Sequence, residues 1–385
     1  MPINRRSRRN MKRSATKSWS NLPPDIVNLI AENLYYYADY ADQVRFRTIC
    51  KSWQSTCVPL KEINLQPWLF SCHSISHLFD TTRKLKYTIK TDPRVLNSKI
   101  EASKDGWVLF SKANINPSPF LFISYNSSPS SLFFYNPFTA SIIELPPLHM
   151  FSSDKATFST APTSSFCTVF VLSVYYSTRR ICISTCKPGE RTWTRHFFDG
   201  FYGDLHGLTY LRGVLYCSFC NNVLGAFRVS TNSWKIYPHN RIRPTSVYLY
   251  YGLIESEHEG SLLSVYYDSH RLQWLVFRFD LLKENWVEVN SLDDRTLFLN
   301  PSSTAMKLAV DDASELANTI HVECSSSFYK KPEDERLQCP QSFDWILEEN
   351  PETIVWIQPP LKRGDTGIQI SNCRDINKCV QPHYY

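Results

Sequence analysis

One pattern recurs along most of this chain: a short apolar strand, a polar turn, then a strand led by an aromatic or aliphatic residue. Clear copies are 131–135 with turn 136–139 and strand 142–146, and 180–184 with turn 187–190 and then Trp193. Two more are 225–229 with turn 231–232 and strand 234–237, and 275–280 with turn 283–285 and strand 286–289. A weaker fifth copy runs from Phe343 and Asp344 to 354–356. Trp193, Trp234 and Trp286 are 41 and 52 residues apart. A degenerate repeat of roughly 40–50 residues, with about four strands in each, is the pattern of propeller blades. A β-sandwich also has many short strands, but it does not require recurrence at blade spacing. The aromatic content of 14% suits strands, where such side chains fit a pleated surface. With only 11 glycines, the turns have to rely on Asn, Asp, Ser and Pro.

Residues 19–57 are different. Pro23 and Pro24 suit a first helical turn, and Asp25 is well placed against the positive end of a helix dipole. Ile26, Leu29, Ile30 and Leu34 then make one apolar stripe, which predicts a helix over 20–34. A tyrosine-rich connection, Tyr35 to Tyr40, leads to a second helical segment carrying Val44, Phe46, Ile49, Cys50 and Trp53, ended by Pro59. A piece of about 40 residues buries little core alone and usually needs a staple or a partner. It reads as half of an interface.

The net charge of +6 is a local matter. Residues 1–18 hold Arg5, Arg6, Arg8, Arg9, Lys12, Arg13 and Lys17 and no acid, which leaves 35 basic and 36 acidic residues elsewhere. A nearly neutral body argues against a nucleic-acid-binding fold. The basic run, Arg5 to Arg13 above all, is a candidate nuclear-import signal; an RNA- or membrane-surface arm and a solvated terminus are the other readings. The run lacks the apolar core of a signal peptide. The longest apolar stretch, 166–176, is broken by Thr168 and Ser173 and is short of the ~20 residues that span a bilayer. The expectation is an intracellular protein, nuclear or cytoplasmic, with no membrane partner and with its 12 cysteines reduced.

A search for chemistry finds little. There is no glycine cradle for phosphates, no nucleophile elbow and no HExxH helix. Cys217 and Cys220 have metal-ligand spacing but fall on a predicted strand, where side chains three apart face opposite ways. Cys182 and Cys186 share a face but lie ~13 Å apart in extended chain, too far for one zinc ion. His258-Glu259-Gly260 resembles a metal fragment only superficially. Asp293-Asp294-Arg295 reads as a surface turn. Neither catalytic residues nor a cofactor or metal site is expected; a hydrolase built from carboxylates of distant blades is the rival.

The N-terminal stretch resembles the F-box motif of cullin–RING ubiquitin ligase subunits. The match rests on Leu22-Pro23, on Ile26, Ile30 and Leu34, and on Ile49-Cys50-Lys51-Ser52-Trp53, with a loop at 35–39 a few residues long for the motif. The remainder is similar to the plant F-box-associated domain of KIB type, a kelch-like β-propeller. Gly106-Trp107, Asn136-Pro137-Phe138-Thr139 with 143–147, 158–170 and 291–299 carry that match. The resemblance implies a mainly β chain in which a small helical F-box precedes a propeller. The F-box would bind a Skp-type adaptor, and through it a cullin, by way of Leu22, Pro23, Ile26, Ile30, Leu34, Ile49, Cys50 and Trp53. The propeller would hold a target protein for ubiquitination, making the chain a non-catalytic specificity subunit. A propeller binding module with a decayed F-box, acting in the nucleus, is the alternative. The expected organisation is a basic tail at 1–18, an F-box at 19–58, a connector with the first propeller strand at 59–85, the propeller at 86–360 and a C-terminal tail at 361–385.

Overall fold

The computed structural model describes residues 22–37, 46, 53, 66–72, 76–80, 85–90, 92–112, 129–151, 153–200, 202–220, 223–238, 248–256, 260–268, 270, 273–300, 303–308, 317–322, 354–359 and 381–383. The chain divides into two units, one of residues 1–61 and 370–377, the other of 62–369 and 378–385. The expectations for 1–18, for Ile49 and Cys50, and for Phe343 and Asp344 lie outside the described residues.

In the first unit a helix runs Pro24–Tyr37. Pro24 opens it, and the Pro23 carbonyl accepts the N–H groups of Ile26 (3.0 Å) and Val27 (3.1 Å). The helix continues through Tyr35, Tyr36 and Tyr37, which were expected to form the connection. Nothing there breaks a helix, and tyrosine costs only a few tenths of a kcal/mol, of order ~0.5, relative to alanine.

The second unit carries the strands, which form six sheets among the described residues. Four are antiparallel meanders running from the innermost strand outwards. Blade 2 has strands Lys99–Lys104, Trp107–Lys112, Ser131–Asn136 and Ser141–Glu144; blade 3 has Lys155–Phe158, Val169–Tyr175, Arg180–Cys186 and Thr194–Asp199. Blade 4 has Leu205–Leu211, Val214–Phe219, Val223–Arg228 and Ser233–Pro238; blade 5 has Tyr248–Ser256, Ser261–Asp268, Gln273–Asp280 and Asn285–Val289. Blade 6 runs Ser303–Leu308, Arg295–Asn300, Thr319–Val322 from the inside, the last two parallel. Blade 1 joins the two ends of the unit: Ile354–Ile357 is innermost, followed by Trp68–Cys72, Ser76–Asp80, Leu85–Ile89 and Gln381–His383. The innermost strands touch in the order of the blades, and that of blade 6 returns to that of blade 1. The ring is a closed β-propeller.

The recurring element of the sequence is thus the outer hairpin of blades 2 to 5. Its proposed fifth copy is something else, because Ile354–Ile357 closes blade 1 by pairing with Trp68–Cys72. The connector expected at 59–85 contains two complete strands and the start of a third, and Gln381–His383 of the supposed tail pairs with Leu85–Ile89. Both surprises come from the closing blade, whose strands are drawn from two ends of the unit and so show no local repeat. Trp356 secures the closure, packing with Leu69, Phe79 and Phe298 and donating its indole N–H to the Leu299 carbonyl at 3.2 Å.

Blade-to-blade packing supplies the core. Face-sharing residues of blades 2 and 3 meet as Trp107, Leu109, Phe134, Phe158, Val169 and Val171. Between blades 3 and 4, Trp234 stacks on Phe198 (5.6 Å) and lies over Gly225, opposite Ile236 in the neighbouring strand. A Cβ at 225 would strike that indole. Gly225→Ala is therefore expected to lower stability by about 2 kcal/mol, the usual cost of forcing atoms into a packed core. In a background where Trp234→Leu has removed the ring, most of that cost should vanish. Additive losses in the double-mutant cycle would refute the clash.

Scarce glycine leaves left-handed turn positions to other residues. Asn97, Asp105, Asn232, Asp293 and Asn318 are residues that tolerate them, but Ala140 (φ 54°) has no such excuse. Ala140 is exposed in the turn of blade 2's outer hairpin. Ala140→Gly should relieve about 1–2 kcal/mol of strain, offset by about 0.4–1 kcal/mol from glycine's greater freedom in the unfolded chain, for a net gain of about 0.5–1 kcal/mol. A lower melting temperature would contradict this.

Candidate functional site

The helix Pro24–Tyr37 divides its apolar residues between two sides. Val27 is fully buried with Phe46 and Trp53, whose rings lie 4.8 Å apart, and Leu22, Ile30, Ala31 and Leu34 pack around them. Positions 27, 30, 31 and 34 centre the buried arc at 100° per residue. Ile26 lies about 90° and Leu29 about 150° from its centre, and they remain 44% and 55% exposed, beside exposed Pro23. The stripe expected from sequence is therefore split. Of the predicted adaptor residues, Pro23 and Ile26 are exposed, Leu22, Ile30 and Leu34 are half-buried, and Trp53 is core. Leu29 was in the stripe but not in the predicted site, and Val27 was in neither. The helix thus leaves two aliphatic side chains exposed beside a core of a few residues.

In the propeller, the polar residues of the innermost strands gather at two levels. Near their trailing ends, Lys104 of blade 2 pairs with Glu255 of blade 5 at 2.9 Å, across the ring. Ser103 donates to the Trp356 carbonyl, and Asp105 accepts the Ala161 N–H at 2.9 Å. Near their leading ends, Lys99 pairs with Glu101 (3.1 Å), which accepts the Ser111 hydroxyl at 2.6 Å. Beside them Asp154 is 1% exposed. Its Oδ2 accepts the Phe151 N–H (2.9 Å) and the Ser173 hydroxyl (2.8 Å), while Oδ1 has no hydrogen-bond partner among the described residues. Burial pushes this carboxyl up to about 6, with a smaller push from Glu101. Two innermost strands bulge nearby, skipping Glu101 and His206. Nothing in the sequence spacing marks this cluster, because its members come from five separate segments.

The other candidate chemistry is ordinary on inspection. Cys217 is fully buried and Cys186 is buried, and burial drives both thiols up, Cys186 to about 11, so neither is an activated nucleophile. Cys220 lies just past its strand, where its sulfur accepts the Asp204 N–H at 3.1 Å. Asp293 and Asp294 are exposed in the turn before Arg295–Asn300, and Arg295 pairs with Asp294 at 3.4 Å. Among the described residues no three His, Cys, Asp or Glu side chains converge on a point as metal ligands do.

Known proteins resemble this chain in sequence. Residues 74–323 match the KIB1-4 beta-propeller family, from within blade 1 to just past the last described strand of blade 6. The F-box protein At3g56470 of Arabidopsis thaliana is 28% identical over 362 residues, 91% of this chain and 91% of its own length. The F-box/kelch-repeat protein At1g57790 of the same plant is 26% identical over 365 residues, 91% of this chain and 97% of that one. The F-box protein At1g49360, also from that plant, is 28% identical over 375 residues, 88% of this chain and 72% of its own. With well over half of its length matched, and matched to the blades themselves, this chain belongs to the KIB1-4 β-propeller family.

Proposed function

We propose that this chain is the substrate-recognition subunit of a Skp–cullin–F-box type ubiquitin ligase. The helical unit docks a Skp-type adaptor, and through it a cullin, while the propeller holds a target protein. The observation that carries this reading is the exposed pair Ile26 and Leu29 on a helix whose buried side is a core of a few residues. Relatives named F-box proteins, alike over about nine-tenths of both lengths, support it. Pro23, Ile26 and Leu29 make the direct contacts, Leu22, Ile30 and Leu34 shape the surface from behind, and Trp53 holds the helix in place. Ile49 and Cys50 complete the predicted set.

In this role the chain needs no acid, base or nucleophile of its own. Holding target lysines beside a separately bound conjugating enzyme converts a bimolecular encounter into an intramolecular one, which raises the effective concentration of the acceptor. The test is co-purification with a recombinant plant Skp-type adaptor, comparing the full chain with one lacking residues 19–58. Capture that disappears with the deletion supports the assignment. Failure of the intact, folded chain to capture the adaptor leaves a propeller binding module without a ligase role.

A further inference from the structure

The outer edges of the blades are not equally protected. An exposed edge strand offers unpaired backbone groups to any other extended chain, and proteins blunt such edges by shortness, proline or lysine. Blade 2 ends in a four-residue strand. The outermost strand of blade 1 is three residues long and contains Pro382. That of blade 4 contains Pro238, and its Lys235 is tied to Glu284 of blade 5 at 2.5 Å. The outermost strand of blade 5, Asn285–Val289, lacks these devices but carries Glu288 and no basic residue, and that of blade 3 lacks them too. Thr194–Asp199 is six residues long, without proline or lysine, and among the described residues no strand pairs with its outer edge.

The side chains on one face of that strand also make a pattern. Arg195, Phe197 and Asp199 alternate onto it, with Arg180 across from Asp199. Phe197 is 47% exposed, and the Arg180 guanidinium lies 5.4 Å from its ring centre. Asp199 is already engaged by Arg180 at 2.8 Å, whereas Arg195 is exposed and has no carboxylate partner among the described residues. The surroundings share the sign. Over the two outer strands and their turns, residues 179–199, Arg179, Arg180, Lys187, Arg191 and Arg195 stand against only Glu190 and Asp199, in a chain whose 35 basic and 36 acidic residues beyond the first 18 nearly balance.

We infer that the edge of Thr194–Asp199 captures an extended, acidic segment of a target protein as an added strand. Main-chain hydrogen bonds supply affinity, and alternate side chains supply selection. A guest residue opposite Arg195 is acidic and one two positions along, opposite Phe197, is apolar, because such cross-strand pairs are the favourable ones. The preferred guest is thus a Glu-x-aliphatic sequence. This deepens the ligase reading by naming the class of target, and it rests on that reading only for its biological use.

The test is fluorescence anisotropy with the full chain and labelled peptides. One probe is three repeats of Glu-Thr-Val-Thr; its control replaces each Glu with Lys. The glutamate peptide should bind, more weakly as salt rises, and the lysine peptide should not. Arg195→Ser and Phe197→Ser should each weaken binding at least tenfold while leaving the thermal melt in place, since both side chains are exposed. Arg228→Ser, an exposed arginine in blade 4, should change nothing. No binding of the glutamate peptide, equal binding of the lysine peptide, or indifference to both substitutions overturns the proposal. So does tighter binding of a single-stranded oligonucleotide that depends on the same two residues. Adaptor co-purification with these variants separates the two ideas. Peptide binding without adaptor capture would remove the ligase role and leave this edge, and the reverse would remove only the edge.

Discussion

Replacing Ile26 and Leu29 with aspartate is expected to abolish capture of a Skp-type adaptor without unfolding the helix that bears them. Both side chains are about half exposed, so a polar residue there costs the isolated chain little. In a complex they would be desolvated, and truncating one well-packed interface aliphatic typically costs about 2 kcal/mol or more. Two charges buried without partners cost considerably more. The chosen pair differs from the Leu22-Pro23 start of the motif for a structural reason. Leu22 packs against the small core, and the Pro23 carbonyl holds the first helical turn, so changing them confounds folding with docking. Val27→Asp is the matched control, since it attacks the core and should lose adaptor binding together with the folded helical unit. Undiminished capture by the Ile26→Asp, Leu29→Asp double variant would remove this surface from the proposal.

The second large effect is a pair of opposing pH responses. His321 is 4% exposed, stacks on Phe298 at 5.0 Å and lies 3.1 Å from the Thr319 hydroxyl. Burial lowers it to about 4 from an ordinary 6.5. A lowered histidine contributes stability that is present above pH 6.5 and is lost as pH falls towards 4, because the unfolded chain takes up the proton first. Asp154 runs the other way. Its carboxyl, raised by burial to about 6 from 3.8, contributes stability present below pH 3.8 and lost as pH rises through 6. Each shift corresponds to about 3 kcal/mol at most. The two groups belong to blades 6 and 3, on opposite sides of the ring, and should act independently.

Their contributions therefore largely cancel between pH 4 and 6, and single substitutions expose them. Asp154→Asn should gain stability at pH 8, change little at pH 4, and make the chain more acid-sensitive over pH 6.5 to 4. His321→Phe, which keeps the stack on Phe298, should remove acid sensitivity and leave stability falling as pH rises from 4 to 6. Chemical denaturation at a series of pH values reads both. Parallel profiles for the original chain and the two variants would show that neither group titrates in this way.

Much of the fold is visible along the chain because blades are local objects. A strand, a turn and a strand led by Trp234 or Trp286 lie within about twenty residues, and hairpin pairing requires no distant partner. The helix start is equally local, since Pro23, Pro24 and Asp25 satisfy the geometry of a first turn by their own chemistry. Its buried side was less legible. Ile26, Val27, Leu29 and Ile30 are all aliphatic, so periodicity alone tolerates a rotation of the arc, and contact with Phe46 and Trp53 selected Val27.

What the sequence determined by itself is thus the class: a small helical unit ahead of a ring of β-meanders, with the excess of positive charge in the first 18 residues. Tertiary structure alone decided how the ring closes, with Ile354–Ile357 beside Trp68–Cys72. It alone paired Lys104 with Glu255, buried Asp154 beside Glu101, and set the unguarded edge of blade 3 among basic side chains. The physical reason is range. Turn chemistry and hydrophobic period act between neighbours in the chain, whereas burial, desolvation and edge exposure depend on which distant segments arrive alongside.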